Sequence, residues 1–128
     1  MIGWSLSALI VVSLLSLGLG VLIAPQKSSE QYGIVLDDPR AFAFLRAMGV
    51  RDAVIGGLLA LMALARARDM LAWAIVMTAS IAVADYLLVT ADRRLAGSRG
   101  TGLDAARFLH VGGAVGLLLT AAALLAGY

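Results

Sequence analysis

The side chains of this chain that could perform chemistry are few, and they lie within apolar stretches. Asp52 lies in one stretch, Asp85 in the next and His110 in the last. Carboxylic acids and imidazoles are common general acids and bases in enzymes. We therefore predict that Asp52, Asp85 and His110 are catalytic residues for acid–base chemistry such as isomerisation, cyclisation or epoxide opening.

Three more polar residues are candidates for substrate binding. Arg51 could hold an anionic or carbonyl group, Arg107 lies nearer the rim of the same region, and Tyr86 could line it. An alternative stays open for Arg51 and Asp52, because such a pair can be a structural ion pair that fixes helix packing. His110 could likewise be a packing residue, and Tyr86 could be merely interfacial.

The sequence predicts neither a metal site nor a cofactor. It has one histidine and no cysteine, so it can form neither a histidine cluster nor a set of thiolate ligands. It also contains no phosphate-binding loop. We therefore expect chemistry that proceeds through the side chains alone.

The elements that carry these residues are predicted to cross a membrane. Of the 128 residues, 62% are hydrophobic and 14% are charged, against about half and about a quarter in soluble domains. Mean hydropathy is +0.97. The net charge is only +2, and the basic residues lie between apolar runs, as in membrane proteins. This composition excludes a soluble enzyme, a disordered tail and a nucleic-acid-binding module.

The apolar runs predict an all-α fold, a bundle of four transmembrane helices built as two consecutive helical hairpins. The first run, Ser5 to Ala24, has 20 residues and no charge, enough to cross a hydrocarbon core of about 30 Å. We interpret it as a retained span rather than a signal peptide, because no Lys or Arg precedes it. The chain, 1–128, is then one integral membrane domain with helices at about 5–24, 41–65, 70–91 and 105–126.

The second span draws charged residues into the membrane. Only 13 uncharged residues separate Asp52 from Arg66, which is too few to cross a bilayer. The helix must therefore begin several residues before Arg51. A helix-start signal lies further back, with Asp38 as the N-cap and Pro39 as the first helical residue.

Helical rise places the three candidate catalytic residues at one depth. Asp52, Asp85 and His110 lie about 7–9 Å from the cytoplasmic ends of their spans. A charged group that faces lipid costs roughly 2.5–3.5 kcal/mol, so we expect all three to face the bundle interior. We also expect Arg51 or Arg107 to bond at least one carboxylate. The result is a polar layer in the cytoplasmic leaflet.

Small residues below this layer allow close helix contacts or leave room for an apolar ligand. A GxxxG spacing at Gly112 and Gly116 is typical of helix packing, and small-residue faces also allow a homo-oligomer. We expect the bilayer and a small lipophilic ligand as partners, and no nucleic acid. We expect the glycines of the fourth span to serve packing. The small residues expected on the inner helix faces are Gly56, Ala82, Gly113 and Ala114. The complete inner faces are predicted to be Asp52, Gly56, Leu59 and Ala63 in the second span, Thr78, Ile81, Ala82, Asp85 and Asp92 in the third, and His110, Gly113, Ala114 and Leu117 in the fourth.

The loops predict the orientation. One side of the membrane carries Arg66 and Arg68. The positive-inside rule places the more basic, opposite side in the cytoplasm and both termini outside, for a multi-pass protein of the inner (plasma) membrane. Trp4, Trp73 and Tyr128 fall at the outer boundary, as an aromatic belt requires. The more basic side carries Lys27, Arg40, Arg46, Arg93, Arg94, Arg99 and Arg107.

A set of residues along the chain resembles one known family. The pattern G-x-R-D, followed by a membrane Asp and a later His, is similar to the four-span bacterial and fungal membrane proteins known as domain of unknown function 4267. The likeness covers nearly the whole chain. This resemblance implies a four-helix membrane bundle, and no biochemical activity is agreed for the family. The residues that carry it are Pro25, Tyr32, Gly33, Gly49, Val50, Arg51, Asp52, Gly56, Gly57, Asp85 and His110.

Three functions fit these observations. The first is a membrane-embedded acid–base enzyme acting on a small lipophilic molecule, since burial favours a protonated carboxylic acid while a neighbouring Arg keeps another ionised. The second is a non-catalytic accessory or structural subunit. The third is a proton-coupled transporter, although the small multidrug exporters of this length carry their carboxylate in the first span, which here has none. A cavity lined by the candidate residues favours the first function, and a dry, fully paired layer favours the second.

Overall fold

The computed structural model describes residues 1–31, 38, 40–95 and 103–128. All regular elements in these ranges are α-helices, so the all-α prediction is confirmed. The four long helices correspond to the predicted spans, although the third of them continues past the predicted end at 91. A short second helix is not predicted by the sequence pattern. In chain order the helices are α1 (Ile2–Ile23), α2 (Pro25–Gln31), α3 (Ala41–Leu64), α4 (Arg68–Leu95) and α5 (Leu103–Leu125).

Within the described residues, three helices are long and apolar enough to cross a membrane. They are α1, α3 and the Arg68–Leu88 part of α4, whereas the apolar stretch His110–Leu125 of α5 is shorter. Large hydrophobic side chains such as Leu58, Met77 and Leu119 are exposed on three different helices. An apolar exterior around buried polar groups is the arrangement that a bilayer favours. These features identify a helical membrane protein.

The contact between α1 and α3 depends on glycine. A Cβ atom added at Gly18 would lie 2.6 Å from the carbonyl oxygen of Gly49 and 2.7 Å from the backbone nitrogen of Ala53. One added at Gly56 would lie 3.1 Å from Leu15 Cγ. Small residues allow the two backbones to approach, which is how helices associate in lipid. The sequence pattern indicates Gly56 for this role, and the structure adds Gly18 and Gly49.

Aliphatic side chains fill the interior between the long helices. The helix α1 lies along α3, and α4 lies along α5. The helices α1 and α3 therefore form one hairpin, and α4 and α5 form the other, as predicted. The two hairpins meet through one buried cluster. The fully buried large side chains of this cluster are Leu59, Leu71, Ile75 and Leu124.

The helices α1 and α5 meet at the end of the bundle that holds both termini. The backbone N–H of Gly3 donates to the carbonyl oxygen of Tyr128 at 3.2 Å. A Cβ atom added at Gly3 would lie 3.0 Å from Leu124 Cδ2, so the absence of a side chain permits this contact. The hydroxyl of Ser7 is buried and donates to the carbonyl oxygen of Gly3 at 2.7 Å. The two ends of the chain are thus held together.

A tight turn joins α3 to α4, and α4 begins at Arg68, two residues before the predicted start at Met70. Arg66 has a φ of 55°, a left-handed conformation that reverses the chain direction over a short distance. The guanidinium of Arg66 lies 5.1 Å from the centre of the Trp4 ring, which is a cation–π distance. This contact connects the turn to α1.

The prediction of Asp38 as the N-cap of α3 is wrong, because the N-cap is Arg40 and no side-chain hydrogen bond caps this helix; Asp38 bonds the turn that precedes it. Asp38 Oδ1 accepts a hydrogen bond from the N–H of Arg40 at 2.8 Å. The carbonyl oxygen of Asp38 accepts one from the N–H of Ala41 at 3.0 Å. The regular helix begins at Ala41. Pro39, the predicted first helical residue, lies outside the described residues.

Candidate functional site

The four long helices surround a cavity of about 120 Å³. All four contribute to its wall, which contains ionisable side chains from α3, α4 and α5 and mainly apolar side chains elsewhere. An engineered apolar cavity of about 150 Å³ binds benzene. The cavity can therefore hold a small molecule, or one segment of a longer molecule.

Arg51 joins the two carboxylates of the cavity in one ion-pair network. Its Nε donates to Asp52 Oδ1 at 3.1 Å, and its Nη2 donates to Asp85 Oδ2 at 3.0 Å. Because Asp52 is its neighbour on α3 and Asp85 lies on α4, Arg51 ties the two helices together. The side chains of Asp52 and Asp85 are only 11% and 19% exposed. These are charge-assisted hydrogen bonds in a largely desolvated place, where such bonds are strong.

His110 brings an imidazole to the same cavity from α5. The residue is buried, and the carboxylate of Asp85 acts electrostatically on its ring. The three predicted residues Asp52, Asp85 and His110 thus line one space, and the expected bond from Arg51 to a carboxylate is formed twice. Within the described part of the chain, no three His, Asp or Glu side chains are close enough together to hold a metal ion.

The described charges around the cavity are unequal in number. One guanidinium faces two carboxylates, so the network carries one negative charge when both carboxylates are ionised and His110 is neutral. A desolvated site disfavours such a net charge.

Seven of the residues predicted on the inner faces of α4 and α5 line the cavity, although one of them, Gly113, is also exposed. Thr78 shares the cavity wall with Asp85, and its hydroxyl donates to the carbonyl oxygen of Ala74 at 2.9 Å. The hydrogen bond within the helix satisfies this donor without disturbing the site. The other wall residues on these two predicted faces are Ile81, Ala82, Gly113 and Leu117.

Three further wall residues are not predicted from the sequence, namely Leu14 and Leu17 of α1 and Ile55 of α3. Ile55 follows Asp52 by three residues, so helical spacing could have placed it on the same face. Leu14 and Leu17 carry no such signal. The helix α1 is apolar on all sides, and its lipid-facing and protein-facing residues are chemically alike.

Three of the residues expected at the site or in helix packing lie away from the cavity wall. Tyr86 is half-buried on α4 and is not part of the cavity wall. The side chain of Arg107 lies outside the described residues. The expected packing role of Gly112 and Gly116 is wrong within this chain, because both are exposed and a Cβ atom at either would meet no atom within 4 Å. The helix α5 turns the face that contains Ala114 toward the bundle instead.

No curated protein matches the chain, and no solved structure matches it either. Residues 11–124 match the family described as a domain of unknown function, DUF4267. Among the described residues, the ionisable side chains that line the cavity, Arg51, Asp52, Asp85 and His110, all lie in the matched segment. The chain therefore belongs to the DUF4267 family.

Proposed function

We propose that the protein is a membrane-embedded acid–base catalyst that acts on a small lipophilic molecule. The observation that carries the proposal is the joint presence of Asp52, Asp85 and His110 in the wall of one mainly apolar cavity. An apolar wall suits a hydrocarbon, and convergent ionisable groups suit proton transfer. Suitable reactions are isomerisation, cyclisation and the opening of an epoxide, in which one proton is given and another is taken.

The proposed mechanism divides the roles between the two carboxylates that Arg51 joins. Arg51 keeps one carboxylate ionised as the base, while the other carries a proton as the acid. The acid protonates an alkene carbon or an epoxide oxygen, and the base removes a proton from a neighbouring carbon. The protein has then lost one proton and gained one. Transfer of that proton from base to acid through His110 restores the starting state.

A second candidate, an accessory or structural subunit, is favoured by the same ion pairs. Arg51 bonds both Asp52 and Asp85, and such a network can fix how α3 meets α4 without any chemistry. A structural network does not require an adjacent cavity, however, and the cavity is therefore the reason to prefer a catalyst. The third candidate, a proton-coupled transporter, depends on the same carboxylates and gains no further support from the described residues.

Deuterium from the solvent tests the proposal without a known substrate. Purified protein in detergent is incubated in D₂O with the lipid extract of the membranes that contain it. Chromatography and mass spectrometry then compare the extract before and after incubation. We expect an isomer with a new retention time or a molecule with carbon-bound deuterium, and we expect neither with Asp85→Asn. If wild-type protein leaves the extract unchanged, catalysis is excluded and the structural candidate takes its place.

We also propose that the protein lies in the plasma membrane, with α5 as a fourth span and both termini outside. The turn between α3 and α4 carries Arg66 and Arg68, whereas the sequence segments predicted on the opposite side of the membrane contain the seven basic residues named for that side above. The positive-inside rule supports this orientation. The polar wall of the cavity then belongs to the cytoplasmic leaflet.

A further inference from the structure

Two residues of the cavity wall lie on the outside of the bundle. Leu17 on α1 is 38% exposed, and Gly113 on α5 is also exposed, whereas Asp52 in the same wall is buried. A Cβ atom added at Gly113 would meet no atom within 4 Å. Open space therefore lies beside Gly113, and the wall of the cavity is incomplete between α1 and α5.

The path of α1 explains this gap. At the end of the bundle with the termini, Gly3 of α1 is bonded to Tyr128, which follows α5. Further along α1, Gly18 lies directly against Gly49 of α3. The helix α1 therefore contacts α5 at its beginning and α3 near its end. A divergence of α1 from α5 toward the ionisable residues would account for the gap.

The gap lies at the depth of the lipid tails rather than at the membrane surface. Leu17 precedes the end of α1 by six residues, or about 9 Å along the helix axis. Gly113 follows the start of α5 by ten residues, or about 15 Å. Exposed apolar side chains such as Val12 and Val115 lie on the two helices that border the gap. An opening with these surroundings faces hydrocarbon.

We infer that the cavity opens sideways into the bilayer between α1 and α5 and admits the hydrocarbon part of a lipophilic molecule past Leu17 and Gly113. The inference deepens the proposed function, and its ligand class rests on that proposal. A volume of about 120 Å³ holds only a segment of a long molecule, so the remainder stays in the lipid. The glycine at 113 matters because a larger side chain there would occupy the opening.

Photolabelling tests this access route. The probe is hexadecanol with a diazirine near its ω end, in phosphatidylcholine vesicles that contain the protein. After irradiation, mass spectrometry locates the side chains that have reacted with the probe. We expect label at Asp52 or Asp85 in the wild type, and also on Met77, an apolar side chain that is 70% exposed on the outside of the bundle. We expect Gly113→Leu to abolish the label at both aspartates while the label on Met77 persists.

The helix α5 offers matched controls in Gly112→Leu and Gly116→Leu. Both glycines are exposed, and a Cβ atom at either would meet no atom within 4 Å, yet neither lines the cavity. Leu is a better helix former than Gly, so all three variants should fold, which a melting curve in detergent checks. A second variant, Leu17→Phe, narrows the gap from the side of α1 and should also reduce the label at the aspartates. It tests the opening independently if Gly113→Leu does not fold.

Two results would overturn the lateral opening. One is aspartate label that Gly113→Leu and Leu17→Phe leave unchanged. The other is wild-type label on Met77 with none at Asp52 or Asp85. Phosphatidylcholine with the same diazirine on an acyl chain forms a second arm. If both probes label the aspartates, the gap admits lipid tails in general. If only hexadecanol labels them, the gap admits a free lipophilic molecule. Either result supports the opening.

The labelling and the deuterium experiment fail independently of each other. Aspartate label without any product would leave the lateral opening in place and exclude catalysis. A product without aspartate label would leave catalysis in place and mean that the substrate reaches Asp85 by another route, which overturns the lateral opening.

Discussion

At the scale of single residues, Asp85 separates a chemical role from a structural one. We expect Asp85→Asn to abolish product formation while the protein stays folded. Asn has nearly the same size, and its amide oxygen can still accept from Arg51 Nη2, which lies 3.0 Å from Asp85 Oδ2, but Asn cannot transfer a proton. Product formation and the melting temperature in detergent are the two measurements. If the wild type makes no product and Asp85→Asn lowers the melting temperature, the role of Asp85 is structural.

Arg51 has a larger expected effect on stability than Asp85. It is the sole cation among the described side chains of the cavity, so Arg51→Gln leaves Asp52 and Asp85 without an opposite charge. We expect a loss of about 3 kcal/mol in the free energy of unfolding, the low end of the range for breaking a buried pair. The low end applies because the Arg51 side chain is itself 36% exposed. Denaturation in detergent measures the loss.

The matched control for Arg51 is Arg68→Gln at the other end of the bundle. Arg68 Nε lies 3.1 Å from Asp69 Oδ1, and both side chains are well exposed, at 47% and 70%. Exposed pairs contribute about 0–1 kcal/mol because water and salt screen them. Equal effects of Arg51→Gln and Arg68→Gln would contradict a desolvated network in the cavity.

At the scale of the helices, the contact of α1 with α3 leads to a prediction for two nearby glycines. We expect Gly18→Ala to lower the melting temperature, because the new Cβ would lie 2.6 Å from the carbonyl oxygen of Gly49. Overpacking of this kind costs about 1–3 kcal/mol. Gly20→Ala is the control, since nothing lies within 4 Å of its Cβ position and Ala favours a helix by about 1 kcal/mol over Gly. Equal melting temperatures for the two variants would contradict the close contact.

At the scale of the whole molecule, the orientation in the membrane can be tested with single cysteines. The natural chain has no cysteine, so each variant carries one reactive thiol. We expect an impermeant maleimide added to intact cells to label Tyr128→Cys and not Gly97→Cys, because the basic loop that contains position 97 should be cytoplasmic. Permeabilised cells, in which both sites should react, provide the control. Label on Gly97→Cys alone would reverse the orientation.

The sequence by itself determined the membrane class, the approximate extent of the four long helices and the grouping of Asp52, Asp85 and His110 at one level of the bundle. A bilayer selects each span by its length and its polarity, and both properties can be read within one segment. Helical rise then converts sequence distance into depth, so the common layer of Asp52, Asp85 and His110 was predictable. The short helix α2 was not, because its polar sequence lacks the apolar periodicity on which the helix predictions depend.

Only the tertiary structure decided how these segments meet. It brought Arg51 to both carboxylates, set Gly18 against Gly49, added Leu14 and Leu17 to the cavity wall, and left Gly113 open where packing was expected. Helical periodicity indicates which residues share a face, but it does not indicate which faces of two helices meet. For α1 the sequence does not even show which face packs against the other helices. Lipid tails and protein interiors are both apolar, so the same side chains suit either environment.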